Sequence, residues 1–117
     1  MDKIGRLALL FDFYGQLLTA KQQEIIGLYY EQNLSLGEIA EELGVSRQAV
    51  HDIIRRGEKV LESYEQKLGL VAKFLNERSK LNEASELLKK YKSTNNPDTL
   101  DQLSAVIKEV LELNTIE

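Results

Sequence analysis

Residues 35–56 read SLGEIAEELGVSRQAVHDIIRR, a stretch that predicts two amphipathic helices joined by a tight turn. Its first half carries four small or apolar residues at helical spacing: Leu36, Ile39, Ala40 and Leu43. Gly44 follows the last of them, where a left-handed backbone ends a helix at little cost. We expect Val45 to fill the corner of the turn and the Ser46 hydroxyl to cap the next helix.

The second half of the stretch predicts a helix with one buried and one exposed face. The buried face consists of Ala49, Val50, Ile53 and Ile54. The exposed face consists of Arg47, Gln48, His51, Asp52 and Arg55, followed by Arg56 and Lys59. A small residue, a turn glycine, a cap and two apolar stripes in this order are typical of a helix-turn-helix, whose second helix presents its side chains to a partner.

Composition and charge narrow the classes of protein to which the chain can belong. Its 117 residues suffice for one domain or two small helical units, and the absence of cysteine excludes disulfides. No run approaches 18 uninterrupted apolar residues, so we expect a cytoplasmic location. The net charge is −4: residues 1–60 carry 7 basic and 9 acidic groups, and residues 61–117 carry 8 and 10. Neither half is therefore a basic arm for nucleic acid.

Catalytic patterns are weak in this sequence. His51 is the single histidine, so a histidine metal cluster cannot form. The glycines are dispersed and do not make a phosphate-binding loop. Glu41 and Glu42 are adjacent on a predicted helix, which is typical of a solvated face. We expect a protein that is not an enzyme and that needs no metal and no cofactor.

Two further helices are expected before the motif. The first, at about 2–14, is apolar around most of its circumference, which predicts burial on nearly all sides by the rest of the chain; covering a partner is the alternative. The second runs to about residue 32 behind a capping box of Thr19 and Gln22. Ser35 and Glu38 form another capping box, at the start of the motif.

The helices after the turn are predicted to be long. The second motif helix extends to about Leu68, with Gly57 as a weak point and Gly69 as its end. One long or interrupted helix follows at 69–92, then a loop at 93–96 and a last helix at 97–113 that starts with Pro97. We expect an all-α fold with a helix-turn-helix domain at 1–68 and a C-terminal helical extension at 69–117, which packs on that domain or forms a homodimer.

The charge of the motif weakens a simple nucleic-acid interpretation. Arg47 can pair with guanine and Gln48 with adenine at base edges, and Arg56 and Lys59 can meet phosphates. Residues 35–59, however, carry four basic and five acidic side chains, so few counterions would be released on binding. Helix-turn-helix folds also bind proteins, and both kinds of partner therefore stay open.

Two family resemblances rest on these residues. Thr19, Gln22, the Leu28-Tyr29-Tyr30 turn and the motif at 35–56 resemble region 4 of bacterial sigma factors, which reads a promoter element. With LLFDFYGQLLT at 9–19 and SLGEIAEELGVSRQAVHD at 35–52, the chain also resembles the YlxM-like family of helix-turn-helix proteins from low-G+C Gram-positive bacteria. That resemblance implies a gene that tends to neighbour those of the signal recognition particle, and hence an accessory or regulatory role in this protein-targeting pathway.

Two functional hypotheses follow. In the first, the protein binds the GTPase or the RNA of the signal recognition particle and modulates targeting. In the second, it is a dimeric transcription regulator that reads a DNA operator with the helix at 46–59, using Arg47, Gln48, His51 and Arg55.

Overall fold

The computed structural model describes residues 2–115, and this range contains α-helices and one 3₁₀ turn without any β-strand. The helices are α1 (Lys3–Tyr14), α2 (Ala20–Tyr30), α3 (Leu36–Leu43), α4 (Arg47–Leu68), α5 (Leu70–Thr94) and α6 (Pro97–Leu113), and the 3₁₀ turn is Gly15–Leu17. The predicted all-α fold is confirmed. The chain forms two compact units, Met1–Val71 and Ala72–Glu117.

Side-chain caps start α1, α2, α3 and α4: Asp2 caps α1, and the other three caps were predicted. Thr19 and Gln22 form a complete capping box at the start of α2, and Ser35 and Glu38 form one at α3. Hydrogen bonds from Ser35 hold the pKa of the Glu38 carboxyl below its usual value. Ser46 caps α4 with its hydroxyl oxygen. These local bonds satisfy backbone N–H groups that a helix start leaves unpaired.

The turn between α3 and α4 depends on Gly44, which has the expected left-handed backbone with φ of 68°. The Val45 N–H donates to the Ala40 carbonyl over 3.1 Å, which closes the turn. Ala40 is buried, whereas the Val45 side chain is 38% exposed. The prediction that Val45 fills the corner is therefore wrong, because its side chain is partly open to solvent while the N–H groups of Gly44 and Val45 close the turn on the Ala40 carbonyl.

Helix α4 is the central element of the first unit, since it contacts α1, α2 and α3. The side chains that meet along it are fully shielded from solvent: Leu10, Ile25, Ile26, Ile39, Val50 and Leu61. Because α4 joins all three partners through one apolar stripe, it fixes the positions of the side chains on its opposite face.

Helix α1 is buried on one side only. Its stripe of Leu7, Leu10, Phe11 and Tyr14 lies in the core. Ile4, in contrast, is 64% exposed, and Phe13 is 39% exposed. The prediction of burial on nearly all sides is thus wrong for the outer face of α1, because in this unit the core lies on one side of the helix.

Gly57 lies at a close approach between α2 and α4. It is buried in the middle of α4, and a Cβ atom added there would overlap the Cδ1 atom of Ile26 on α2. The sequence suggested a weak point of the helix at this position. In the structure the missing side chain instead makes room for a packed isoleucine, so the glycine has a packing role.

A buried polar cluster joins the ends of α1, α4 and α5. The Tyr14 hydroxyl donates to Glu65 Oε1 over 2.6 Å, and the same carboxylate oxygen accepts the Val71 N–H over 3.0 Å. The Leu70 N–H donates to the Tyr14 hydroxyl over 3.1 Å. Gly69, with φ of 64°, ends α4 and turns the chain so that the first N–H groups of α5 reach these oxygens.

The second unit contains most of α5 and all of α6, joined by Asn95 and Asn96. Helix α5 is continuous, and it includes Ser93 and Thr94, which the sequence had suggested for the loop. Both of these hydroxyls donate to the Lys90 carbonyl, which explains how polar residues end the helix without breaking it earlier. No helix within residues 2–115 is long and apolar enough to cross a membrane.

Candidate recognition face on helix α4

The predicted site residues project from the first four turns of α4. We define the recognition face as the side chains of Arg47, Gln48, His51, Asp52, Arg55, Arg56 and Lys59. Six of the seven residues are exposed, and His51 is half-buried. Helical spacing carries these residues away from the buried stripe of Val50 and Ile54, which anchors the same turns to the core.

Two side chains of the recognition face are hydrogen-bonded to each other. The Gln48 side-chain amide donates to Asp52 Oδ1 over 3.0 Å, one helical turn away. His51 Nδ1 lies 3.8 Å from the same oxygen, which is too far for a hydrogen bond, and it has no other partner among the described residues. A partner that uses Gln48 must therefore bind the remaining N–H and the oxygen of this amide or displace Asp52.

The cationic side chains of the face are available to a partner. Within residues 2–115, Arg47, Arg55, Arg56 and Lys59 take part in no ion pair, although oppositely charged groups lie elsewhere on the same helix. Long exposed side chains of this kind can rearrange around a ligand at little cost. The face therefore offers up to four cations and one carboxylate to whatever binds it.

Helix α3, which packs against α4, carries exposed negative charge. Glu41 and Glu42 are both exposed on α3, whose packing partners include α4. Together with Asp52 they make the surface around the motif mixed in charge rather than uniformly basic. Such a surface repels a polyphosphate backbone at some points and attracts it at others.

A groove of about 770 Å³ runs along one side of the recognition face, between α1 and α4. His51, Arg55 and Lys59 form part of its α4 wall, and Lys3 and Arg6 on α1 contribute to the opposite wall. The sequence pattern did not indicate Lys3 and Arg6 as part of a site. Only their place on the polar side of α1 could have suggested them, and the α1–α4 packing could not be inferred from that.

Two hydrogen-bonded pairs set the charge of the groove. Arg6 donates two hydrogen bonds of 2.9 Å to the carboxylate of Glu62, which raise the pKa of the guanidinium further. The Tyr30 hydroxyl donates to Glu58 Oε1 over 2.7 Å, and burial raises the pKa of this phenol well above its usual value. The Arg6–Glu62 pair is neutral overall, whereas Tyr30 leaves the negative charge of Glu58 in place, and within residues 2–115 neither Arg55 nor Lys59 forms an ion pair with it.

Within residues 2–115, no group of three or more histidine, aspartate or glutamate side chains lies close enough to hold a metal ion.

Comparison with known proteins gives a consistent result along nearly the whole chain. Residues 1–103 match the family UPF0122, described as "Putative helix-turn-helix protein, YlxM / p13 like". A UPF0122 protein of Desulforamulus reducens is 48% identical over 112 residues, which cover 96% of each chain. Another, from Acetivibrio thermocellus, is 49% identical over 96% of this chain and 93% of its own. A third, from Halalkalibacterium halodurans, is 46% identical over 118 residues, which cover 100% of this chain and 99% of its own.

Proposed function

Because the chain belongs to the UPF0122 family of helix-turn-helix proteins, we propose that it is a non-catalytic regulatory protein that binds its partner through the recognition face. The pathway that we propose is protein targeting by the signal recognition particle, which rests on the YlxM-like resemblance. The observation that carries the binding role is the exposure of four cations on a helix that the core holds firmly in place.

The mixed charge of the surface favours a protein partner, and we propose the GTPase of the particle. Asp52 lies in the middle of the recognition face, and Glu41 and Glu42 are exposed on the adjacent helix. A protein surface can present cations to these carboxylates and carboxylates to the arginines. It can therefore match both signs of charge on this surface. An RNA or DNA backbone would offer only negative charge.

DNA is the second candidate partner, and the position of two side chains favours it. Arg47 and Gln48 are exposed in the first turn of α4, the part of a recognition helix that contacts base edges in the major groove. Arg56 and Lys59 lie further along, within reach of phosphates. In this alternative the Gln48 amide gives adenine its oxygen and one N–H, so it either keeps Asp52 on its second N–H or turns away from it.

Titration of the full chain against three ligands tests these proposals: the purified GTPase of the particle, its RNA, and fragments of genomic DNA. We expect saturable binding of the GTPase, weakened at least about tenfold by Arg47→Ala combined with Arg55→Ala, which is typical for removing two central interface arginines. The matched control is Lys21→Ala. Lys21 is an exposed cation on α2 that is paired with Glu24, and its removal should leave the affinity unchanged.

The outcomes separate the two candidates. Saturable DNA binding that is lost in the arginine variant, without GTPase binding, would replace the first candidate by the second. No saturable binding to any of the three ligands would refute both. Salt dependence adds a second criterion, because a DNA complex with several phosphate contacts weakens steeply between roughly 50 and 200 mM salt.

A further inference from the structure

The α5–α6 hairpin exposes a set of large aliphatic side chains. The five residues are between 41% and 66% exposed: Leu81, Leu88, Leu100, Ile107 and Leu111. Single exposed leucines are common on protein surfaces, but five in a segment of 31 residues (81–111) need an explanation.

Helix geometry puts these side chains on one side of the hairpin. The two helices are antiparallel, since two residues join them and the Lys80 ammonium forms an ion pair with Glu109. Thr99 and Val106 on α6 are buried, and Lys80 and Leu87 on α5 are half-buried. The exposed aliphatic residues come one position later on each helix. In an antiparallel pair, one step forward on either helix turns toward the same side.

The ion pair also sets the heights of these residues along the hairpin. If residue 80 is level with residue 109, Leu81 lies beside Ile107 and Leu88 lies beside Leu100, each within about one residue. The two pairs are seven residues apart on both helices. Between them lie Ser85 and Ser104, which are small and exposed. We call this surface, with Leu111 at its end, the aliphatic stripe.

The α5–α6 hairpin by itself buries few side chains. Among residues 72–115, only Thr99 and Val106 are buried. Two helices packed side by side cannot enclose a core, whereas four helices can, and a repeat of seven residues suits the shallow crossing angle of such bundles. The aliphatic stripe therefore resembles one half of the interior of a four-helix bundle.

We propose that the aliphatic stripe binds the same stripe of a second copy of this chain, so that two hairpins form a four-helix bundle. A two-fold axis parallel to the helices brings Leu81 of one copy to Ile107 of the other, and Leu88 to Leu100, so the stripe is complementary to itself. Each helix then has only antiparallel neighbours. The serines between the aliphatic pairs leave space into which opposing leucines fit.

A second copy fits this surface better than a different partner does. The exposed centre of the stripe carries leucine, isoleucine and serine and no charged side chain, so nothing on it would select a partner by charge. Its spacing of seven residues on both helices matches itself under two-fold symmetry, which a heterologous ligand would not require. The proposal does not depend on the identity of the regulatory partner at the recognition face.

Light scattering after size-exclusion chromatography tests the proposal. The full chain is used at about 100 µM, a concentration at which ordinary protein dimers form. We expect the wild type at twice the chain mass of 13.3 kDa. Leu81→Glu combined with Ile107→Glu should shift it to a single chain mass with unchanged helical circular dichroism. Ala105→Glu adds the same charge to an exposed position on the opposite side of α6, and this control should stay dimeric.

A milder variant keeps the test valid if the glutamate variant loses helicity. Leu81→Ala combined with Ile107→Ala should raise the dissociation constant of the dimer at least about tenfold, since both changes occur twice in the complex. A wild type that is monomeric at about 100 µM would overturn the proposal. So would a dimer that neither the glutamate nor the alanine variant weakens, or one that Ala105→Glu weakens equally.

Discussion

The Tyr14 hydroxyl donates a hydrogen bond of 2.6 Å to Glu65 Oε1, although 51 residues separate the two in the sequence. Tyr14 is the last residue of α1, and Glu65 lies in the last turn of α4. The carboxylate also accepts the Val71 N–H, so this pair connects three helices at one buried point. Because buried polar groups are costly without partners, the pair specifies how these helix ends meet.

Removing the hydroxyl should destabilise the protein. Tyr14→Phe deletes the donor to Glu65 and the acceptor of the Leu70 N–H, and we expect the free energy of unfolding to fall by about 1–3 kcal/mol. Urea denaturation followed by circular dichroism measures this. Tyr64→Phe is the matched control, because it removes a hydroxyl from the ring that stacks on Tyr14, and it should change stability by less than about 0.5 kcal/mol. Equal effects of the two variants would contradict a special role for the buried hydrogen bond.

Stability should fall at alkaline pH because two tyrosines hold their protons more tightly in the folded state. Burial and the bond to Glu65 raise the pKa of Tyr14, and burial and the bond to Glu58 raise that of Tyr30. The stabilisation is complete below the unfolded pKa of about 10 and is lost as pH rises above it, by at most about 1.4 kcal/mol per pH unit for each proton. Tyr30 contributes less, since its side chain is only half-buried.

Urea unfolding between pH 8 and pH 11.5 measures that slope. Tyr14→Phe should lose less stability per pH unit than the wild type above about pH 10, and Tyr14→Phe combined with Tyr30→Phe should lose still less. If all three proteins have parallel pH profiles, the two phenols do not couple to folding in the way the structure indicates.

Gly57 should not tolerate a methyl group. In Gly57→Ala the new Cβ overlaps Ile26 Cδ1, and overpacking of this kind costs about 1–3 kcal/mol in spite of the higher helix propensity of alanine. Gly37→Ala on α3 is the matched control: its nearest atom would lie 3.9 Å away, so we expect it to stabilise by about 0.5–1 kcal/mol. Thermal unfolding of both variants provides the comparison.

A second substitution identifies the cause. Ile26→Val removes the Cδ1 atom that the alanine methyl would meet, and it should recover part of the stability lost in Gly57→Ala. A double-mutant cycle would then show a coupling of about 0.5–3 kcal/mol, as is usual for residues in contact. Additive effects would mean that the two side chains do not compete for space.

The negative charge of Asp52 should weaken any binding of DNA to the recognition face. Asp52→Asn removes the negative charge from the middle of the recognition face and the acceptor charge that holds the Gln48 amide. We expect a few-fold tighter binding to DNA fragments at roughly 50 mM salt, with the gain fading at higher salt. Asp12→Asn makes the same change on a separate surface of α1, beside Gln16 and Gln23, and should have a smaller effect. Fluorescence anisotropy measures both, and equal gains would show that only net charge matters.

Most of the secondary structure could be predicted because it depends on near neighbours in the sequence. The capping boxes at Thr19 and Ser35 involve residues three positions apart, and the left-handed conformation of Gly44 follows from its place after an apolar stripe. The exposure of Arg47 and Gln48 follows from helical periodicity alone. Where the local signals were mixed the prediction failed, as at Ser93 and Thr94, whose hydroxyls bond to the helix and extend it.

The sequence by itself thus determined the helices, most of their caps, the turn and the exposure of the side chains on the candidate recognition face, since all of these arise from contacts within a few positions along the chain. Only the tertiary structure decided which faces meet. It paired Tyr14 with Glu65, brought Arg6 to Glu62 over 56 residues to line the groove, and made Gly57 a packing site for Ile26. Periodicity tells which side of a helix is apolar, but the identity of the opposing helix depends on how all the apolar faces pack together.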